Sequence, residues 1–179
     1  MTYSEVTPIG WTKRAVSEVA ENLAAKWKLN PGDRLDAFAA RLGGTIEYQN
    51  VFAVDGTKDG SILIDDERDF KIFVPDYVSF ERKRFTIAHE IGHYILHYVA
   101  QGIKDQKVRA ARASGPNQER SEREADWFAA ALLMPKDEFL RVYREAGDSL
   151  IAVARHFGVS KQAAKWQLDY YDAVAKPGG

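Results

Sequence analysis

The segment FTIAHEIGHYILHY restricts the fold most strongly, because it contains two histidines four residues apart with a glutamate directly after the first. His89 and His93 lie on one face, one turn apart, if the segment is an α-helix. Ser79 is a suitable N-cap, so the sequence predicts a helix from Ser79 to about Val99. Both imidazoles could then bind one metal ion, and Glu90 could act as the general base for a metal-activated water.

A catalytic zinc site normally has a third protein ligand, and the absence of cysteine leaves His, Asp and Glu to supply it. In the next predicted helix, ERSEREADWFAAALLMP, Glu122 and Asp126 share one face. Glu124 is the rival ligand, but it points to a different side of that helix than Glu122. His97 follows His93 by four residues, and three ligands on two turns of a straight helix cannot converge on one ion. We therefore interpret His97 as a core histidine or as a support for a ligand.

The pairing of AHEIGH with EREADWFAAALLMP resembles the ImmA/IrrE family of metallopeptidases, whose members carry FTxAHExGH and then ExEA(N/D)xFAxxLLMP. The resemblance covers roughly residues 36–139. It implies a gluzincin-like zinc endopeptidase with one zinc ion per chain, in which Glu122 joins His89 and His93 as a ligand. It also implies that Asp126 is an acceptor that orients a ligand histidine. Similar proteins commonly cleave helix-turn-helix repressors in mobile-element, toxin-antitoxin-like or stress-response settings, so the implied partner is such a repressor.

The remaining patterns predict an α+β fold, with a small, mostly antiparallel sheet beside zincin-like active-site helices and a helical C-terminal segment. Apolar residues at helical spacing indicate a helix over Ala15 to Leu29. Asn30 is predicted to cap a second helix that ends at Gly43. β-branched and aromatic residues predict three strands, Thr45 to Phe52, Ser61 to Asp65 and Phe70 to Val74.

The segment 101–118 is rich in polar and small residues, and we interpret it as a loop that could close over the site as a lid. Helices are predicted over about Gln118 to Leu133 and from Pro135 to Ala146. We expect residues 1–146 to form a zincin-like metallopeptidase domain, followed by a helix-turn-helix-like appendage over residues 147–179.

The appendage sequence SLIAVARHFGVSKQAAKWQL has a turn at Gly158 and a cap at Ser160, which is the outline of a helix-turn-helix. Its second helix offers Lys161 and Lys165 but is followed by acidic residues, so DNA binding is possible but less favoured than packing on the catalytic domain or on a partner protein. The whole chain has 25 basic and 26 acidic residues, net charge −1, which indicates neither a nucleic-acid nor a membrane partner.

A cytoplasmic protein is expected, because no apolar signal region is evident and the longest apolar stretch, Trp127 to Met134, is too short to span a membrane. Two alternatives to the peptidase stay open. One is a regulatory DNA- or protein-binding module with a structural or vestigial metal site, against which the intact Glu90 argues, since a structural site needs no general base. The other is a zinc hydrolase that acts on a small amide. The same ligands would also accept manganese, iron or cobalt.

Overall fold

The computed structural model of the chain describes residues 2–50, 60–111 and 115–175. A π-helical turn, Ile95–Val99, directly continues the third helix. The helices are α1 Lys13–Lys26, α2 Leu35–Leu42, α3 Phe80–Tyr94, α4 Pro116–Leu133, α5 Lys136–Glu145, α6 Leu150–Phe157 and α7 Lys161–Ala175. The strands are β1 Ser4–Glu5, β2 Gly44–Gln49, β3 Ser61–Asp66, β4 Asp69–Pro75 and β5 Val108–Ala111.

The strands form one mixed sheet in the order β1-β5-β3-β4-β2. Ile62 in the central strand β3 lies opposite Ile72 of β4 and Ala110 of β5, and both of these pairings are antiparallel. The outer pairs, β1 with β5 and β2 with β4, are parallel. The predicted α+β class is confirmed, whereas the sheet is antiparallel only at its centre. Local sequence patterns indicate where strands occur but not which neighbours they take, and here β4 inserts between β2 and β3.

The strand β5 lies inside the segment 101–118 that the sequence analysis interprets as a loop and possible lid. Val108 and Ala110 are buried against β3, while Arg109 points outward and pairs with Glu5. The lid interpretation is therefore wrong for residues 108–111, which are part of the sheet. A strand this short has too little alternation to be recognised from sequence. Residues 112–114 lie outside the described ranges, and α4 already begins at Pro116.

The N-terminal helices begin and end at residues with local hydrogen-bonding roles. Thr12 caps α1 by accepting a hydrogen bond from the amide of Ala15. Asn30 does not cap α2, because α2 begins at Leu35 after Arg34, while residues 30–33 form a turn in which the Asp33 carboxylate accepts a hydrogen bond from the Asn30 amide. The helix α2 ends at Gly43, as predicted, in a left-handed conformation with φ of 96°.

The helix α3 lies between the sheet and α4, and its residues 86–94 are all buried. Ser79 caps it as predicted. Gly92 faces α4, where an added Cβ would lie 3.2 Å from Cα of Ala125 and 3.1 Å from Cδ1 of Phe128. The absence of a side chain at Gly92 therefore lets the two helices approach closely enough to build a shared site.

The C-terminal helices α6 and α7 form the predicted hairpin, with a left-handed turn at Gly158. The Arg84 side chain of α3 donates hydrogen bonds to the carbonyls of Phe157 and Gly158. The Tyr171 hydroxyl donates to the carbonyl of Met134, at 2.7 Å. These contacts attach α6 and α7 to the rest of the molecule, while a domain boundary after residue 146 stays a prediction. Within the described ranges, no helix is long and apolar enough to cross a membrane.

Candidate metal centre

The helices α3 and α4 bring together three groups that can bind a metal ion. The Nε2 atoms of His89 and His93 are 3.1 Å apart. Glu122 places Oε2 at 3.2 Å from Nε2 of His89 and Oε1 at 3.2 Å from Nε2 of His93. A tetrahedral zinc ion with bonds of about 2.0 Å holds its ligand atoms roughly 3.3 Å apart. The three separations therefore fit a small cation bound between these side chains.

The ring of His89 is oriented by a carboxylate on α4. Its Nδ1 lies 2.8 Å from Oδ1 of Asp126. A carboxylate only accepts hydrogen bonds, so Nδ1 carries a proton, and Nε2 is the ring atom that faces His93 and Glu122. This is the contact that the family resemblance implies for Asp126.

The ring of His93 is oriented through a second histidine. Its Nδ1 lies 2.9 Å from Nδ1 of His97, and Nε2 of His97 lies 3.0 Å from Oε2 of Glu124. Because the Glu124 carboxylate accepts a hydrogen bond, His97 donates from Nε2, and its Nδ1 accepts a hydrogen bond from the Nδ1–H of His93. The lone pair of His93 Nε2 is therefore directed at the centre. His97 lies in the π-helical turn, and such turns are frequent at functional sites.

Glu124 is fully buried and accepts hydrogen bonds on both oxygens. Oε1 accepts from the amide of Gly10 and from Nε of Arg120, each at 2.9 Å. Oε2 accepts from the amide of Ile9 at 2.9 Å and from His97. Burial alone would raise the pKa of Glu124, but these donors outweigh burial and lower it. Glu124 thus links the N-terminal segment to a histidine of the metal centre.

Burial and hydrogen bonding set the protonation of the three candidate ligands. Burial lowers the pKa of His93 to about 3, which keeps this ring neutral, as a metal ligand must be. Burial also opposes protonation of His89, but hydrogen bonds to Asp126 and Glu122 outweigh it and raise the pKa to about 10. A bound cation would therefore have to displace the proton on Nε2 of His89. Burial would raise the pKa of Glu122, yet the two histidines lower it well below its ordinary value. The arrangement is electrostatically suited to a cation.

Glu90 is buried beside the centre, where the backbone before β3 comes close to α3. Gly60 occupies this position with φ of 97°. A Cβ at Gly60 would lie 2.5 Å from Cγ2 of Thr86 and 3.2 Å from Oε1 of Glu90. Only glycine fits here without moving its neighbours, so Gly60 is a residue of the site that the sequence analysis missed.

The structure places the candidate residues in two groups. His89, His93 and Glu122 meet at one point, while Glu124 lies on another side of α4, as its spacing predicts. The support that Glu124 gives to His97 has no signal in the sequence. Within a run of charged residues, the sequence alone does not distinguish a buried glutamate from an exposed one.

The family model of the IrrE N-terminal-like domain, Peptidase_M78, matches residues 51–169, which is more than half of the chain. The chain belongs to the ImmA/IrrE family of metallopeptidases. The match includes all the candidate metal ligands, and the resemblance derived from the two motifs is thereby confirmed.

The ImmA/IrrE chain also has the fold of a solved structure, a transcriptional regulator from Mycobacterium tuberculosis, with a TM-score of 0.56 and 18% sequence identity. The match covers 84% of this chain and 45% of the regulator, so this chain spans less than half of that protein's length. No curated protein matches the chain.

Proposed function

We propose that the chain is a zinc-dependent endopeptidase that hydrolyses a peptide bond in a specific protein partner. The observation that carries this proposal is the spacing of about 3.2 Å among His89, His93 and Glu122, with the buried carboxylate of Glu90 beside them. Membership of a metallopeptidase family supports the same chemistry.

In the proposed mechanism, His89, His93 and Glu122 hold zinc, and each residue has a defined task. Bound zinc would polarise the scissile carbonyl and lower the pKa of the attacking water. Glu90 accepts a proton from that water and passes it to the nitrogen of the leaving amine. Asp126 fixes the ring of His89 through the Nδ1 hydrogen bond. A glutamine at position 90 could hydrogen-bond the water but could not take its proton.

The proposed partner is a helix-turn-helix transcriptional repressor, met in the cytoplasm. The resemblance to ImmA/IrrE proteins supports this partner. The alternative regulatory module would use α6 and α7 to bind DNA. In that alternative α7 would be the recognition helix, but its Lys165 already pairs with Asp169 at 2.7 Å and 2.9 Å, which weakens the case for phosphate binding.

The metal part of the proposal is tested by mass-spectrometric metal analysis of purified wild type, His93→Ala and Glu90→Gln. We expect about one zinc per chain in wild type and in Glu90→Gln, and loss of zinc in His93→Ala. No bound metal in any of the three proteins, even after zinc is added in chelator-free buffer, would contradict the proposal.

The hydrolytic part is tested by mapping protein N-termini in the source cells, with the wild-type gene or with the gene encoding Glu90→Gln. A new N-terminus inside a repressor, present with wild type and absent with the matched variant, would identify the substrate. Identical N-termini in the two strains, with equal amounts of zinc-loaded protein, would contradict endopeptidase activity.

A further inference from the structure

A cavity of about 750 Å³ adjoins the metal centre and lies between α3, α4 and α7. This volume is within the range typical of ligand-binding sites. Asp126 lines the cavity, and the same carboxylate holds Nδ1 of His89. Thr86, one turn before Glu90, also lines it. One end of the cavity is therefore a single hydrogen bond away from a metal-binding histidine.

Large aromatic side chains line the cavity on three helices, namely Phe85 on α3, Trp127 on α4 and Trp166 on α7. Trp166 is 64% exposed although it is large and apolar. Water-exposed aromatic surface at the edge of a cavity is typical of a binding site for an apolar group. The wall that α7 supplies thus has the chemistry to hold a large apolar side chain.

Basic side chains lie beside this aromatic surface. Lys13 is half-buried, with Nζ 3.9 Å from the centroid of the Tyr170 ring, and Arg123 is exposed on α4. Within the described part of the chain, neither cation pairs with a carboxylate. Two acidic residues line the cavity, namely Asp126, which is already engaged by His89, and Glu81 on the first turn of α3. With Arg82 included, the lining has three basic side chains against these two acidic ones, so the cavity offers net positive charge to an incoming group.

We propose that this cavity, completed by α7, binds a segment of the protein substrate that carries a large apolar side chain next to an acidic one. The apolar side chain packs between Trp127 and Trp166, and the carboxylate pairs with Lys13. This inference rests on the proposed peptidase function and gives the C-terminal hairpin a role in that function: α7 determines which proteins are cut.

The test is binding by full-length, zinc-loaded Glu90→Gln, which does not require hydrolysis. A phage-displayed library of random twelve-residue peptides is selected on this protein, and the affinity of enriched peptides is measured by fluorescence anisotropy. The same peptides are measured with Trp166→Ala or Lys13→Glu added. Matched controls are Ile151→Ala, an exposed apolar residue on α6, and Lys26→Glu, an exposed lysine on α1 away from the cavity.

We expect the selected peptides to combine aromatic or large aliphatic residues with Asp or Glu. Trp166→Ala and Lys13→Glu should each weaken their binding about tenfold or more, while the controls stay within about twofold. Three results would overturn the inference: no enrichment, enrichment of basic peptides, or equal affinities in the cavity variants and the controls. A peptide that binds through Trp166 but is not cleaved by zinc-loaded wild type would leave the cavity site intact and count against the peptidase function instead.

Discussion

Replacement of Glu124 by glutamine should destabilise the protein strongly, although the two side chains have almost the same shape. Each carboxylate oxygen accepts two hydrogen bonds, and glutamine has only one oxygen. Its NH₂ group would therefore meet two donors, either Gly10 and Arg120 or Ile9 and His97. Loss of two hydrogen bonds to a charged acceptor, at about 1.5–3 kcal/mol each, gives a loss of about 3–6 kcal/mol in the free energy of unfolding.

The assay is urea and thermal unfolding followed by circular dichroism. A loss of this size lowers Tm by roughly 6–24 °C in a chain of this length, at about 2–4 °C for each kcal/mol. Glu119→Gln is the matched control, because Glu119 is exposed on the first turn of the same helix. This substitution should lower the free energy of unfolding by less than about 1 kcal/mol. Surface substitutions usually change the free energy of unfolding by less than about 0.5 kcal/mol. If the free energy of unfolding of Glu124→Gln lies that close to the wild-type value, then the buried carboxylate does not hold the N-terminal segment.

Three further predictions concern the metal centre and its supports. Asp126→Ala should weaken zinc binding about 10–100-fold in a chelator competition, because His89 loses the acceptor that orients it. Gly60→Ala should lower the free energy of unfolding by about 1–3 kcal/mol, since φ of 97° is strained for alanine and its Cβ would lie 2.5 Å from Cγ2 of Thr86. The pKa of Glu124 lies below its ordinary value of 4.5, so its stabilisation is present above that pH and is lost as the pH falls through the folded-state pKa. Unfolding measured from pH 6 down to pH 3 should therefore show a shallower acid-induced loss in Glu124→Gln than in wild type.

Each of these predictions has a result that would contradict it. Unchanged zinc affinity in Asp126→Ala would mean that packing alone orients the His89 ring. If Gly60→Ala has the same free energy of unfolding as wild type, then the backbone before β3 does not lie tightly against α3. Parallel acid curves for wild type and Glu124→Gln would assign the acid sensitivity to other carboxylates.

Features that depend on neighbouring residues could be predicted from the sequence. The cap at Ser79 and the spacing of His89 and His93 define α3 locally, and the left-handed turns at Gly43 and Gly158 have the ordinary helix-ending signal. Helical geometry separates Glu122 from Glu124, and the family resemblance favours Glu122 as the ligand; the structure brings Glu122 to the histidine pair.

Features that depend on distant partners could not be predicted. Val108–Ala111 becomes a strand because β3 offers it an edge, and four residues carry too weak a pattern to show this beforehand. Asn30 has the usual residue type for a helix cap, but residues 30–33 form a turn and α2 begins only at Leu35, after Arg34. The role of Glu124 requires donors from residues 9 and 10, which no local window contains.

The hydrogen bond from Ile9 to Glu124 spans 115 positions of the chain, which affects the order of events during synthesis. A ribosome that adds about 5–20 residues per second needs roughly 6–23 s to cover that distance. Until α4 has emerged, neither Glu122 nor Glu124 exists to complete or support the metal centre. A nascent chain therefore cannot assemble this candidate site, which can form only when most of the chain has been made.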